Sequence, residues 1–155
     1  MIKIKIGFDV DNGVWDAESF RLVMQNLIFE QDNYDVFLIT KNTDSTYIDV
    51  IASQLGMNPG NVFQGLANNN AILDQLNASG IQIYLTPYME MSSLTNENSS
   101  NTIGVLVDNK QDEYNIQPKW FTQMFFWINR LKAINESKKT SVRKNAVPKT
   151  RNSST

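Results

Sequence analysis

The stretch Ile6-Gly7-Phe8-Asp9-Val10-Asp11-Asn12-Gly13, residues 6–13, decides how the rest of the chain is read. From Lys3 the chain alternates apolar and other residues. It then runs through Gly7 and Phe8 into two carboxylates, the pattern of a buried strand that ends in an acidic loop. Asn12-Gly13 marks the turn beyond it. Working outward, Asp16 is placed to cap a helix reaching about Glu30, with Phe20, Val23, Met24, Leu27 and Ile28 at helical spacing on one face. Tyr34 to Thr40 is a nearly unbroken apolar run, as expected of a strand covered on both faces. Asp44 or Ser45 opens the next helix, whose apolar positions Tyr47, Ile48, Ile51 and Leu55 end at Gly56.

The alternation continues to the end of the apolar sequence. Val62 to Leu66 reads as a short third strand, Ala71 to Ala78 as a helix closed by Gly80, and Ile81 to Leu85 as a fourth strand ending at Thr86-Pro87. Residues 88–101 read as a polar loop and Ile103 to Val107 as a fifth strand. Pro118 is a suitable first residue for a last helix carrying Trp120, Phe121, Met124, Phe125, Trp127 and Ile128. Strand and helix in strict alternation imply an α/β fold of three layers, Rossmann-like, with a five-stranded parallel sheet joined by right-handed crossovers. Ligands bind such sheets beyond the carboxyl ends of the strands, where Asp9, Asp11, Thr40, Thr86 and Asp108 all fall.

Composition narrows the chemistry. The 155 residues suit one core, and the absence of cysteine and histidine excludes disulfides, thiolate or imidazole metal sites, cysteine nucleophiles and imidazole acid/base catalysis. Carboxylates, hydroxyls, amides and amines remain. No apolar run approaches the roughly 20 residues of a membrane span, and the N-terminus lacks a signal-peptide core, so no membrane partner and a cytoplasmic location are expected. Residues 137–155 hold Lys138, Lys139, Arg143, Lys144, Lys149 and Arg151 with no acidic side chain and few large apolar ones. They read as a flexible basic tail after a domain spanning 1–136, able to touch nucleic acid, an acidic partner or the acidic body itself, or to remain solvated without a partner. The aromatic last helix reads as a cover for one sheet face or as a homo-oligomer contact.

Two carboxylates two residues apart in a turning loop can flank one Mg²⁺, which favours hard oxygen ligands, and a carboxylate can attack phosphorus while a second one handles the leaving group's proton. Residues Ile6 to Asp16 resemble the first motif of haloacid dehalogenase (HAD)-like phosphatases: an apolar strand, Asp-x-Asp, Gly or Asn, then usually Thr. Here Gly13 stands where Thr is usual. The family's second motif, a strand ending in Ser or Thr, resembles Phe37-Leu38-Ile39-Thr40-Lys41-Asn42. The resemblance covers residues 3 to about 110 and implies a Mg²⁺-dependent phosphohydrolase acting through an aspartyl-phosphate on a phosphorylated substrate. It assigns Asp9 as nucleophile and metal ligand, Asp11 as general acid/base, and Thr40 as a donor to the phosphoryl group, and the paired carboxylates make Asp11 a metal ligand as well.

Two family features have no counterpart. The family's Lys at the start of the helix before the fourth strand is replaced by Asn68-Asn69-Asn70, and the acidic pair after that strand by Thr86-Pro87. A second placement uses Val107-Asp108-Asn109 as the acidic motif, but leaves no fifth strand after it, so the first is preferred. The missing positive charge could come from Lys41 or Lys110, otherwise solvated loop lysines, and the third metal carboxylate from Asp108, otherwise a turn residue. The alternative function is a catalytically degenerate relative that serves as a binding or assembly module. A receiver-like signalling domain needs an acceptor Asp after the third strand, and Val62 to Leu66 supplies none.

Overall fold

Strand β1 (Ile4–Phe8) forms at the middle of the sheet, because Ile4, Ile6 and Phe8 bury on one face while Gly7 lets Ile39, Ile81 and Tyr84 close over the other. The structure is a computed structural model that describes residues 2–99, 101–108 and 119–153. After β1 come α1 (Glu18–Phe29), β2 (Tyr34–Ile39), α2 (Ser45–Leu55), β3 (Val62–Phe63), α3 (Asn69–Ser79), β4 (Ile83–Thr86), α4 (Met89–Asn98), β5 (Ile103–Leu106) and α5 (Lys119–Ser153). All strand pairs are parallel, in the order β3-β2-β1-β4-β5. The expected three-layer, Rossmann-like α/β architecture with five parallel strands is what the chain adopts.

Two apolar clusters fill the layers. On one face Ile6, Phe8, Leu38, Leu85 and Val105 meet Phe20 and Met24 of α1, Ile48 and Ile51 of α2, and Trp120, Met124 and Ile128 of α5. On the other, Phe37, Ile39, Ile81 and Tyr84 meet Ile72 and Leu76 of α3 and Met91 of α4. Chain order reverses between β1 and β4, so the crevice beyond their carboxyl ends is the switch point at which open sheets bind ligands. Edge-on packing of Phe20 against Trp120, with centroids 5.3 Å apart, and the tilted contact of Phe8 with Phe20 at 6.0 Å fix the residue that precedes Asp9.

Several local expectations are corrected. Asp16 does not cap α1: it ends a 3₁₀ turn over Val14–Asp16, and Ala17 precedes α1 without a side-chain cap. Asp44 does cap α2, accepting from the N–H of Tyr47. Residues 88–101, expected as a polar loop, contain α4, whose buried positions Met91, Ser92 and Thr95 are mostly small and polar. Small residues suit that face, because α4 lies so close to β5 that a Cβ on Gly104 would sit 2.6 Å from the Ser92 carbonyl oxygen. Asn96 locks the contact by donating to the Gly104 carbonyl and accepting from its N–H. Helix α5 runs on past residue 136, through residues 137–147 that contain neither Gly nor Pro, and along the basic stretch to Ser153. Pro118 and Lys110 lie outside the described residues. No helix among the described residues is long and apolar enough to cross a membrane.

Candidate functional site

Ladder hydrogen bonds continue one residue past the strands and fix the site's backbone. The N–H of Asp9 donates to the Leu85 carbonyl, that of Thr40 to the Phe63 carbonyl and that of Val107 to the Thr86 carbonyl, each at 2.9 Å. Asp9 and Thr40 thus sit on neighbouring strand ends, each held by the next strand out. Asp9 is only 1% exposed. Asn12 and Gly13 both have positive φ, 56° and 77°, and turn the chain sharply after Asp11. Gly tolerates that conformation where a β-branched residue would be strained, which gives a local reason for Gly13.

The side chains form a directed network. Asn42 N–H donates to Thr40 Oγ1 at 3.1 Å, which leaves the hydroxyl proton to be donated to Asp11 Oδ2 at 3.1 Å. Asn42 Nδ2 donates to Asp11 Oδ1 at 2.7 Å, so both oxygens of Asp11 are oriented from the loop after β2. Asp9 Oδ1 accepts the Asp11 N–H at 3.2 Å, whereas Asp9 Oδ2 is buried with no hydrogen-bond partner among the described residues. Burial pushes the Asp9 carboxyl up to about 6, and the charge of Asp11 adds to the rise, against the pull of the backbone N–H groups of Asp11 and Val10. A buried, unpartnered carboxylate oxygen calls for a proton or a cation.

No family model, curated protein or solved structure matches this chain.

Of the residues singled out in the sequence, Asp9, Asp11 and Thr40 come together. Lys41, next to Thr40, donates from Nζ to Asn69 Oδ1 at 3.0 Å and lies 5.6 Å from the centre of the Tyr88 ring. Asp108 is exposed after β5 and does not complete a metal cluster: among the described residues, no group of three or more acidic side chains could hold an ion. Thr86 is buried and its hydroxyl accepts from the Tyr88 N–H at 3.2 Å, a loop-bracing role. In the sequence alone Asn42, Asn69 and Tyr88 have no role of their own. Asn42 is legible only through its place two residues beyond Thr40 and Asn69 only as part of Asn68-Asn69-Asn70 at the start of α3, whereas Tyr88 carries no signal of its own.

Proposed function

We propose that the chain is a HAD-like, Mg²⁺-dependent phosphohydrolase that acts through an aspartyl-phosphate on Asp9. The observation that carries this reading is the buried Asp9 carboxylate at the end of the central strand, with one oxygen unpartnered among the described residues and Asp11 oriented beside it. The donor set suits Mg²⁺, which is usually held by one or two carboxylates, waters and substrate phosphate, and Asp9 and Asp11 would supply the protein's share. When bound, the ion neutralises charge on the carboxylates and the phosphoryl oxygens.

In the first half-reaction an Asp9 oxygen attacks phosphorus, the bond from phosphorus to the leaving oxygen breaks, and that oxygen takes a proton from Asp11. In the second, water attacks the acyl phosphate and gives its proton to Asp11, and the bond between phosphorus and Asp9 breaks to release inorganic phosphate. Thr40 and Asn42 hold Asp11 for both proton transfers. Between Asp9 and α1 the chain has room for one 3₁₀ turn and no inserted cap, which favours an open site and large phosphorylated substrates. A cytoplasmic location belongs to the same reading.

The second reading is a degenerate relative that binds without turnover. It is favoured by the lack of a three-carboxylate cluster among the described residues and by Asn68-Asn69-Asn70 at the start of α3, where the resembled family carries Lys. Mg²⁺-dependent hydrolysis of an aryl phosphate separates the two: turnover abolished by Asp9→Asn supports the enzyme, and no turnover together with no Mg²⁺ binding by calorimetry leaves the binding module.

A further inference from the structure

Transfer of a phosphoryl group to a carboxylate brings like charges together and depends on fixed positive charge beside the moving group. Lys41 is the only Lys or Arg between Arg21 and Lys110. Its stem is long and flexible, yet the ammonium has two contacts from other elements: the Asn69 side-chain oxygen in the first turn of α3, and the Tyr88 ring just before α4. Neither contact is a carboxylate, and among the described residues Lys41 has no ion pair. An amide oxygen and an aromatic face orient an ammonium without cancelling its charge, whereas an Asp partner would spend that charge.

The three segments involved follow β2, β3 and β4, and they converge over the end of β1 that carries Asp9. Tyr88 also lies within the field of the acidic pair: burial raises its phenol first, and the charges of Asp11 and Asp9 raise it further. We propose that Asn69 and Tyr88 are positioning residues that hold the Lys41 ammonium un-neutralised at the mouth of the Asp9 site, where it binds the phosphate group of the substrate. The site invoked is that of the phosphohydrolase reading, but the cation reaches the start of α3 from the neighbouring loop instead of arising on α3 itself.

The test is calorimetric titration of inorganic phosphate into the full chain, with Mg²⁺ for the unmodified protein and without metal for Asp9→Asn, which removes one repelling charge and the chemistry together. Lys41→Met should weaken phosphate binding by about tenfold in both backgrounds, with Lys41→Arg restoring most of it, and Asn69→Ala or Tyr88→Leu should weaken it by about threefold or more. Asn69→Asp discriminates further. If Asn69 only braces the fold, an ion pair with Lys41 should leave phosphate affinity unchanged and the melting temperature the same or higher. If Asn69 keeps the ammonium available, phosphate affinity should fall while the fold persists. Phosphate binding that ignores Lys41, or no binding in either background, overturns the proposal. Loss of binding in Lys41→Met by a protein that hydrolyses nothing retires the phosphohydrolase reading and keeps this one.

Discussion

The Tyr84 hydroxyl donates to the Ile39 carbonyl oxygen at 2.9 Å across the face of β1, passing over Gly7, whose missing side chain leaves the room. Tyr84 thereby ties β4 to the last residue of β2, and the next residue is Thr40. A Cβ on Gly7 would meet the Tyr84 ring at 3.3 Å and Ile81 at 3.3 Å. Tyr84→Phe should cost about 1 kcal/mol in urea unfolding and lower kcat more than it changes KM, because it loosens Thr40 without touching substrate. Gly7→Val should cost more, by overpacking. Equal stability of Gly7→Val and the unmodified protein would show that the strand ends are not packed as described.

Thr40→Val keeps the side chain's shape and removes the hydroxyl that links Asn42 to Asp11. It leaves Asp11 Oδ2 and the Asn42 N–H without that partner, at a cost of about 1–3 kcal/mol. Turnover of an aryl phosphate should fall by about 10²-fold or more, as for the loss of one preorganised donor. A fall of less than threefold would remove Thr40 from the chemistry.

Asp9 gives a pH signature in the metal-free protein. Its folded-state carboxyl lies at about 6, above the 3.8 of an unperturbed Asp, so the folded state binds the proton more tightly than the unfolded state does. The stability this contributes is complete below about pH 4 and is lost as pH rises through about 6, a difference on the order of 3 kcal/mol. Asp9→Asn should therefore match the unmodified protein near pH 4 and be the more stable by up to that amount at pH 7, measured by urea unfolding with a chelator present. Asp9→Asn less stable at pH 7 would mean that the carboxylate has a stabilising partner in the fold.

Gly104→Ala tests the contact between α4 and β5. With 2.6 Å from the new Cβ to the Ser92 carbonyl oxygen, backbone must move, and a loss of about 1–3 kcal/mol is expected. A neutral substitution would mean that α4 is free to shift away from the sheet.

What was legible in the sequence follows from how locally each feature is encoded. Buried parallel strands announce themselves as apolar runs, which is why Tyr34 to Ile39 and the Asp9 strand end were readable, and Gly56 and Gly80 mark the ends of α2 and α3. Helix α4 was not readable, because Ser92 and Thr95 bury hydroxyls against a glycine strand and leave no apolar period. The continuation of α5 past 136 was hidden for the opposite reason, since a polar stretch without a breaker carries little pattern of its own. At the site, the Asp9, Asp11 and Thr40 constellation was visible as strand-end chemistry. The bond from Lys41 to Asn69 joins residues 28 apart in sequence and depends on the topology that places α3 beside the β2 loop.

The most direct measurement is chemical trapping of the intermediate. Protein turning over an aryl phosphate with Mg²⁺ is quenched in acid and reduced with borohydride, which converts an acyl phosphate of aspartate to homoserine, and the peptide containing residues 6–13 is then examined by mass spectrometry. The proposed mechanism requires homoserine at position 9, dependent on both Mg²⁺ and substrate, and its absence in Asp9→Asn. Active turnover with an unmodified Asp9, or homoserine appearing at Asp11 instead, would contradict it.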